Sequence, residues 1–184
     1  MEFKDSETFK NLQLAYEYEV ESVGEYNIFS AKAHQDVLIE ISELFMRISQ
    51  NNLFIGRRFR NIFNEKQPDT LQNLSEAIAT ERNADQNMYR EYSEIALKEG
   101  YNDIASLFNG VANIKLNHSV MLESAATDLQ LGTSFCRNFE TLWVCLGCGN
   151  IMSGTCAPEV CPVCLFPQGY YELLTYYDTR LSNN

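Results

Sequence analysis

Apolar side chains recur at helical spacing along four long stretches of the chain, and each stripe is interrupted by polar residues. From about Asp5 to Gln35 the stripe runs through Leu12, Tyr16, Val23, Tyr26 and Ala33, with Glu19 inside it. From about Val37 to Asn64 it runs through Leu38, Ile41, Phe45, Ile48, Ile55, Phe59 and Ile62, with Asn52 as the interruption. Pro68 ends helical continuity in the loop Glu65 to Asp69, and Asp69 is placed to cap the next start. The third stretch, about Thr70 to Glu99, carries Leu74, Ala77, Ile78, Met88, Tyr92 and Ile95 inward with Glu81 among them, and Gly100 suits its end. The fourth, about Asn102 to Leu131, buries Ile104, Phe108, Val111, Leu122 and Ala125, and it contains Lys115 and His118 before Gly132.

Four such helices with short connections inside each half predict a four-helix bundle. The halves also repeat. Glu19 with Ile41-Ser-Glu-Leu-Phe45 recurs as Glu81 with Ile104-Ala-Ser-Leu-Phe108, at offsets agreeing within one residue, and Asn52 to Ile55 then aligns with Lys115 to His118. Polar residues from all four helices are therefore expected at one level of the bundle. In a bundle core that is where a metal site is built, from one Glu on each of two helices and a Glu-x-x-His on each of the other two.

Beyond the helices the pattern changes. Cys145-Leu-Gly-Cys148 and Cys161-Pro-Val-Cys164 form two CxxC pairs separated by twelve residues. Each pair folds as a tight knuckle presenting both sulfurs to one side, so four thiolates converge on one tetrahedral metal ion. Gly149 and Pro162 suit such turns. Zinc and iron use the same four thiolates, so the ligand set alone leaves the metal open. The two remaining cysteines, Cys136 and Cys156, are expected to be spare reduced thiols. Domains are expected over residues 1–135 and 136–184.

Composition narrows the function. A net charge of −11 over 184 residues argues against nucleic acid and against adsorption to anionic membranes. The chain has no apolar run long enough for a membrane helix and does not begin as a signal peptide, so a cytoplasmic protein is expected. The acidic run Glu17, Glu21 and Glu25, the patch Arg57, Arg58 and Arg60, and His34 fit solvated surface.

Across nearly its whole length the chain resembles the rubrerythrins. The resemblance rests on Tyr26-Asn-Ile-Phe29 with Lys32-Ala33, Ile41-Ser-Glu-Leu-Phe45, Met88-Tyr89, Glu99-Gly100-Tyr101 with Ile104-Ala105 and Phe108, Trp143-Val-Cys145, Ala157 to Pro162 and Tyr171-Glu-Leu-Leu174. It implies a mainly α protein: a ferritin-like four-helix bundle holding a di-iron carboxylate centre, followed by a small rubredoxin-like domain whose iron tetrathiolate feeds it electrons for peroxide reduction. It favours iron over zinc at Cys145, Cys148, Cys161 and Cys164, and it implies a homodimer. It also places Tyr26 and Tyr89 near the bundle site.

By the same resemblance Glu19 and Glu81 match carboxylate ligands and His118 matches one of two histidines. Asn52, Ile55, Ala84 and Lys115 stand where further Glu or His ligands are expected, and no Glu-x-x-His occurs. The expected bundle site, Glu19, Glu81, Lys115 and His118, is therefore vestigial and free of di-iron, with Lys115 as counter-charge to the carboxylates. A single ion on Glu19, Glu81 and His118 is the intermediate case. Three functions follow: an electron carrier working through the iron tetrathiolate with an unidentified redox partner, a non-enzymatic assembly module with structural zinc, and a full peroxide-reducing enzyme.

Overall fold

The computed structural model describes residues 2–64 and 68–174; Glu65, Lys66 and Gln67 of the expected loop lie outside the described residues. By compactness the chain divides at Pro68, into Met1–Pro68 and Asp69–Asn184, and each unit contains one antiparallel helical hairpin.

In the first unit α1 (Glu7–Gln35) opens on a Ser6 cap whose side chain accepts from the Phe9 N–H, and it packs on α2 (Ile39–Phe63). In the second unit α3 (Thr70–Asn83) starts with a capping box. Asp69 accepts from the Gln72 N–H at 2.8 Å, and the Gln72 side chain accepts from the Asp69 N–H at 2.9 Å, as the position of Asp69 predicts. The rod continues through a π turn (Ala84–Tyr89) into α4 (Arg90–Lys98), and both segments pack on α5 (Asn102–Leu131). Gly132 ends α5 in the left-handed conformation at φ 67°.

The closest part of each hairpin seam is built from small residues. Ser42, Ser49 and Gly56 are buried on α2, and Ala105, Ala112, Ser119 and Ala126 on α5, each series stepping by seven along its helix. A Cβ added at Gly56 would lie 3.5 Å from Val20 Cγ2, which shows how near the two backbones run. This corrects the expected seam. Ile41, Ile55, Ile62 and Ile104 are exposed rather than inward, and on α5 Ala126 is buried instead of Ala125. The large apolar residues flank the line of closest approach, which only small side chains can occupy.

The duplication is visible in three dimensions. Tyr26, Phe29 and Phe45 form one aromatic cluster, with ring centroids 5.7 to 6.1 Å apart. Tyr89, Tyr92 and Phe108 form its counterpart at 5.6 to 6.2 Å. From Glu19 to Tyr26 the step is seven residues, whereas from Glu81 to Tyr89 it is eight. The extra residue of the second repeat is taken up by the π turn, because an i→i+5 turn absorbs one residue without breaking the rod.

After α5 the chain forms a three-stranded antiparallel sheet of order β2-β1-β3, from β1 (Cys136–Cys145), β2 (Ile151–Cys156) and β3 (Tyr171–Leu173). Its core is Trp143, Cys145, Ala157, Cys161 and Tyr171, with the Trp143 indole N–H donating to the Gly154 carbonyl at 3.1 Å. Cys136 and Cys156 face each other across the ends of β1 and β2 and are joined as a disulfide. The expectation of two spare reduced thiols is thereby overturned: strand register, invisible in their separation along the chain, brings them together.

Candidate metal centre

The two knuckles are near copies of one another. In each, the fourth residue after the first cysteine is in the left-handed region, Gly149 at φ 77° and Leu165 at φ 62°. Each of these residues donates its N–H back to the first cysteine's carbonyl, Gly149 to Cys145 at 2.7 Å and Leu165 to Cys161 at 3.0 Å. The Cys145 N–H donates to the Asn150 carbonyl and the Cys161 N–H to that of Phe166, closing both loops. Gly147 has a further reason to be glycine, since a Cβ there would meet the Phe166 ring at 2.4 Å.

These turns bring all four sulfurs within 4.8 Å of one another. Tetrahedral metal–sulfur bonds of about 2.3 Å separate the sulfurs by about 3.8 Å. Cys145 Sγ lies 3.6 Å from Cys164 Sγ, and Cys148 Sγ lies 3.7 Å from Cys161 Sγ, so the donor set fits a tetrathiolate-bound ion of the rubredoxin type.

The thiols are unequal. The Tyr171 hydroxyl, followed by the Cys164 and Val163 N–H groups, outweighs burial and pulls Cys161 down to about 6. At Cys164 the Phe166 N–H favours the thiolate, but burial and the sulfurs of Cys148, Cys161 and Cys145 push it up to about 12. Cys148 is likewise raised: burial and the Cys161 and Cys145 sulfurs overcome the Asn150 N–H. The Cys161 sulfur in turn pushes Tyr171 up to about 12. Crowded sulfurs that retain protons are what a dication relieves, because binding exchanges protons for metal charge. Cys145 and Cys161 are buried, while Cys148 is exposed and Cys164 half-buried, so the cluster has one solvent-facing edge.

The second polar cluster lies between α3 and α5. The Lys115 ammonium donates to Glu81 Oε1 at 3.1 Å, and His118 Nδ1 lies 3.0 Å from Glu81 Oε2, so both carboxylate oxygens are engaged. Burial acts to raise the Glu81 carboxyl, but the Lys115 and His118 hydrogen bonds and charges hold it below the ordinary glutamate value. Three of the four residues expected at this level therefore meet within one hairpin. Glu19 is half-buried on α1 of the other unit, beside Gly56. Ala84 is buried within the π turn.

Sequence reasoning missed the polar residues that accompany this turn. Asp85 is buried and receives the Arg90 guanidinium through Nε at 3.2 Å and Nη2 at 3.0 Å; Arg90 also donates to Asn109 and Asn113 on α5. Asp85 and Arg90 are five residues apart, a spacing that meets on a π turn and not on an α-helix. The one-residue mismatch between the repeats was the available signal.

Two family models match the chain: "Rubrerythrin" over residues 72–141 and "Rubrerythrin, rubredoxin-like domain" over residues 143–172. The rubrerythrin of Nitratidesulfovibrio vulgaris is 30% identical over 183 residues, covering 93% of this chain and 96% of that protein. The rubrerythrin of Clostridium perfringens is 28% identical, covering 92% and 95%. A structure of nigerythrin in a partially reduced state aligns over 91% of this chain and 86% of its own at 20% identity, with a TM-score of 0.35. With the four-cysteine centre in the small domain and relatives matched end to end, this chain belongs to the rubrerythrin family.

Proposed function

We propose that this protein is an electron carrier whose working centre is an iron ion at Cys145, Cys148, Cys161 and Cys164, and that its helical site is held without di-iron by Lys115. The observation supporting the second half is the double engagement of Glu81, one oxygen by Lys115 and the other by His118. An ammonium at hydrogen-bond distance supplies the positive charge that a metal would otherwise bring, and it competes for the same oxygen.

Iron held by four thiolates exchanges a single electron while keeping all its ligands. This chain's residues set the conditions for that exchange. N–H groups of Asn150 and Phe166 point at the Cys148 and Cys164 sulfurs, and those of Val163 and Cys164 at Cys161, stabilising thiolate charge. Trp143, Ala157 and Tyr171 exclude water from the buried side. The redox partner then approaches the Cys148 edge. No helix among the described residues is long and apolar enough to cross a membrane.

Metal content with a visible spectrum tests both halves. About one iron per chain, with colour that bleaches on reduction, is the expected result; colourless protein carrying zinc makes the cysteine site structural and the chain an assembly module. About three irons per chain, or anomalous density beside Glu81, restores the full peroxidase and overturns the role given to Lys115. We also infer a homodimer, because Leu14, Ile28, Phe54 and Met121 are each more than 60% exposed on the helices. Monomer mass in sedimentation equilibrium would exclude it.

A further inference from the structure

The Cys136–Cys156 disulfide shares no ligand with the four-cysteine centre, and nothing in the electron-carrier reading uses it. It joins the first residue of β1 to the last of β2, beyond the regular ladder that pairs Thr141 to Val144 with Gly154 to Ile151. Its two cysteines are differently placed: Cys156 is exposed, whereas Cys136 is half-buried. Arg137 folds back over Cys136, its Nη1 donating to the Cys136 carbonyl at 2.5 Å and to the Thr133 carbonyl at 3.0 Å. The same guanidinium lies 5.7 Å from the Trp143 ring centroid and 3.7 Å from Asp128 Oδ2, so its charge is only partly balanced.

We propose that Cys136–Cys156 is a second redox site, a thiol–disulfide couple that exchanges two electrons with a dithiol, the dithiol attacking at Cys156. Attack is directed there because Cys156 is the more exposed cysteine and because the guanidinium held at the Cys136 carbonyl places a positive charge beside the leaving residue, which favours departure as thiolate. A dithiol thiolate forms a bond to Cys156 Sγ as the Cys136–Cys156 bond breaks. Cys136 leaves as thiolate and takes a proton. The second thiol of the reductant, as its thiolate, then attacks its own partner's sulfur and releases Cys156. The net result is one dithiol oxidised to a disulfide, the pair reduced by two electrons, and two protons carried from the dithiol to the two cysteines.

The site is also joined to the metal domain. Ala157, which follows Cys156, packs in the core with Cys145 and Cys161, and its N–H donates to the carbonyl of Phe135, which precedes Cys136. Reduction frees this corner while leaving the ladder from Thr141 to Val144 in place. Faster amide exchange at Ala157 and Cys136 than at Trp143 is the consequence.

The test uses the full-length, metal-loaded protein equilibrated in buffers of reduced and oxidised dithiothreitol, alkylated and read by peptide mass spectrometry. Cys136 and Cys156 are expected to gain label together at one midpoint, before the four metal-bound cysteines do. When reduced glutathione opens the disulfide of the wild-type chain and the reaction is quenched in acid, the glutathione adduct is expected at Cys156 several-fold more often than at Cys136. Arg137→Gln should slow reduction of the disulfide several-fold, and Arg137→Lys should restore much of the rate. Labelling of both cysteines in the air-oxidised protein overturns the proposal, as does a disulfide that dithiothreitol reduces only after urea unfolding. Equal glutathione adducts at the two cysteines would remove the assignment of Cys156 as the attacked sulfur. These readouts do not depend on which metal fills the other site.

Discussion

The two helical hairpins descend from one pattern yet solve the same packing problem with different chemistry. In the first, α1 is regular from end to end, and the seam is bridged by neutral groups: Ser30 with Ser42 at 2.9 Å, and the Asn27 amide donating to Ser49 Oγ at 3.0 Å. In the second, a π turn interrupts the rod and the positions matching Asn27, Asn52 and Ile55 are Arg90, Lys115 and His118. Those three serve two carboxylates, Asp85 and Glu81. A single inserted residue thus accompanies the addition of ion pairs to a hairpin that keeps its neutral bridge, Ser93 Oγ donating to the Ala105 carbonyl at 2.9 Å. Small-residue seams carry the fold in both repeats, while the buried Asp85 carboxylate with its Arg90 partner belongs to the one with the irregular helix.

The sharpest way to break the comparison is to remove a buried charge's partner. Arg90→Met leaves the Asp85 carboxylate, 7% exposed, without its cation, and the expected cost is about 3 kcal/mol. Asn27→Ala, at the matching position of the first hairpin, should cost about 1 kcal/mol. Urea titration with hydrogen exchange resolved along the helices reads both. Equal losses would mean that Arg90 and Asp85 act as an ordinary surface pair.

Overpacking tests what the hairpins share. Ala112 is fully buried, and Ala112→Leu should cost about 1–3 kcal/mol because the seam along α5 has no room for three more carbons. Ser49→Leu meets the same constraint on α2 and in addition removes one of the two acceptors of the Asn27 amide, which keeps the Val23 carbonyl, so it should cost at least as much. A neutral outcome at either site, by the same denaturation measurements, would show that this seam is looser than its partner.

Much of this was legible in the sequence, and the failures have physical causes. Helical spacing located all four rods, Asp69 and Gly100 marked their ends, and the two CxxC pairs identified the metal centre, because each signal is local. Weighting large apolar residues misjudged the seams: Ile41 and Ile104 flank the line of closest approach, and burial there goes to Ser42 and Ala105. The Asp85–Arg90 pair was hidden because α-helical spacing does not connect residues five apart. Cys136 and Cys156 were misread because their proximity depends on strand register. The Glu81–Lys115–His118 grouping was readable only through the repeat, since no single helix contains it.

The hairpin turns allow a smaller, reciprocal test. Gly100 turns the second hairpin at φ 88°, and the matching residue of the first is Val37 at φ 59°, a β-branched side chain in a region that suits glycine. Gly100→Val should cost about 1–2 kcal/mol. Val37→Gly should give a gain below about 1 kcal/mol, because glycine's greater freedom in the unfolded chain offsets part of the relief. Thermal melts of the two variants provide the comparison, and a loss of stability in Val37→Gly would show that the valine side chain contributes packing that outweighs its backbone strain.

The smallest expected effect concerns pH and belongs to the second hairpin. Burial acts to raise Glu81, but Lys115 and His118 outweigh it and hold the carboxyl below its ordinary value. A carboxyl lowered in the folded state binds fewer protons there than in the unfolded chain, so its contribution is complete above the unfolded value of about 4.3. It is lost as the pH falls through the lowered folded value. The side chains of Glu81 and Lys115 are 18% and 28% exposed, so the contribution should be under about 1 kcal/mol. Glu81→Gln should therefore be less stable than the parent at pH 7, and the two should converge in acid below pH 4.3. Glu81→Gln also keeps a hydrogen-bond acceptor for Lys115 while losing the charge, so the difference reads electrostatics and not a vacancy. A gap that stays constant through the acid range would mean that Lys115 and His118 pack against Glu81 without serving as its counter-charge.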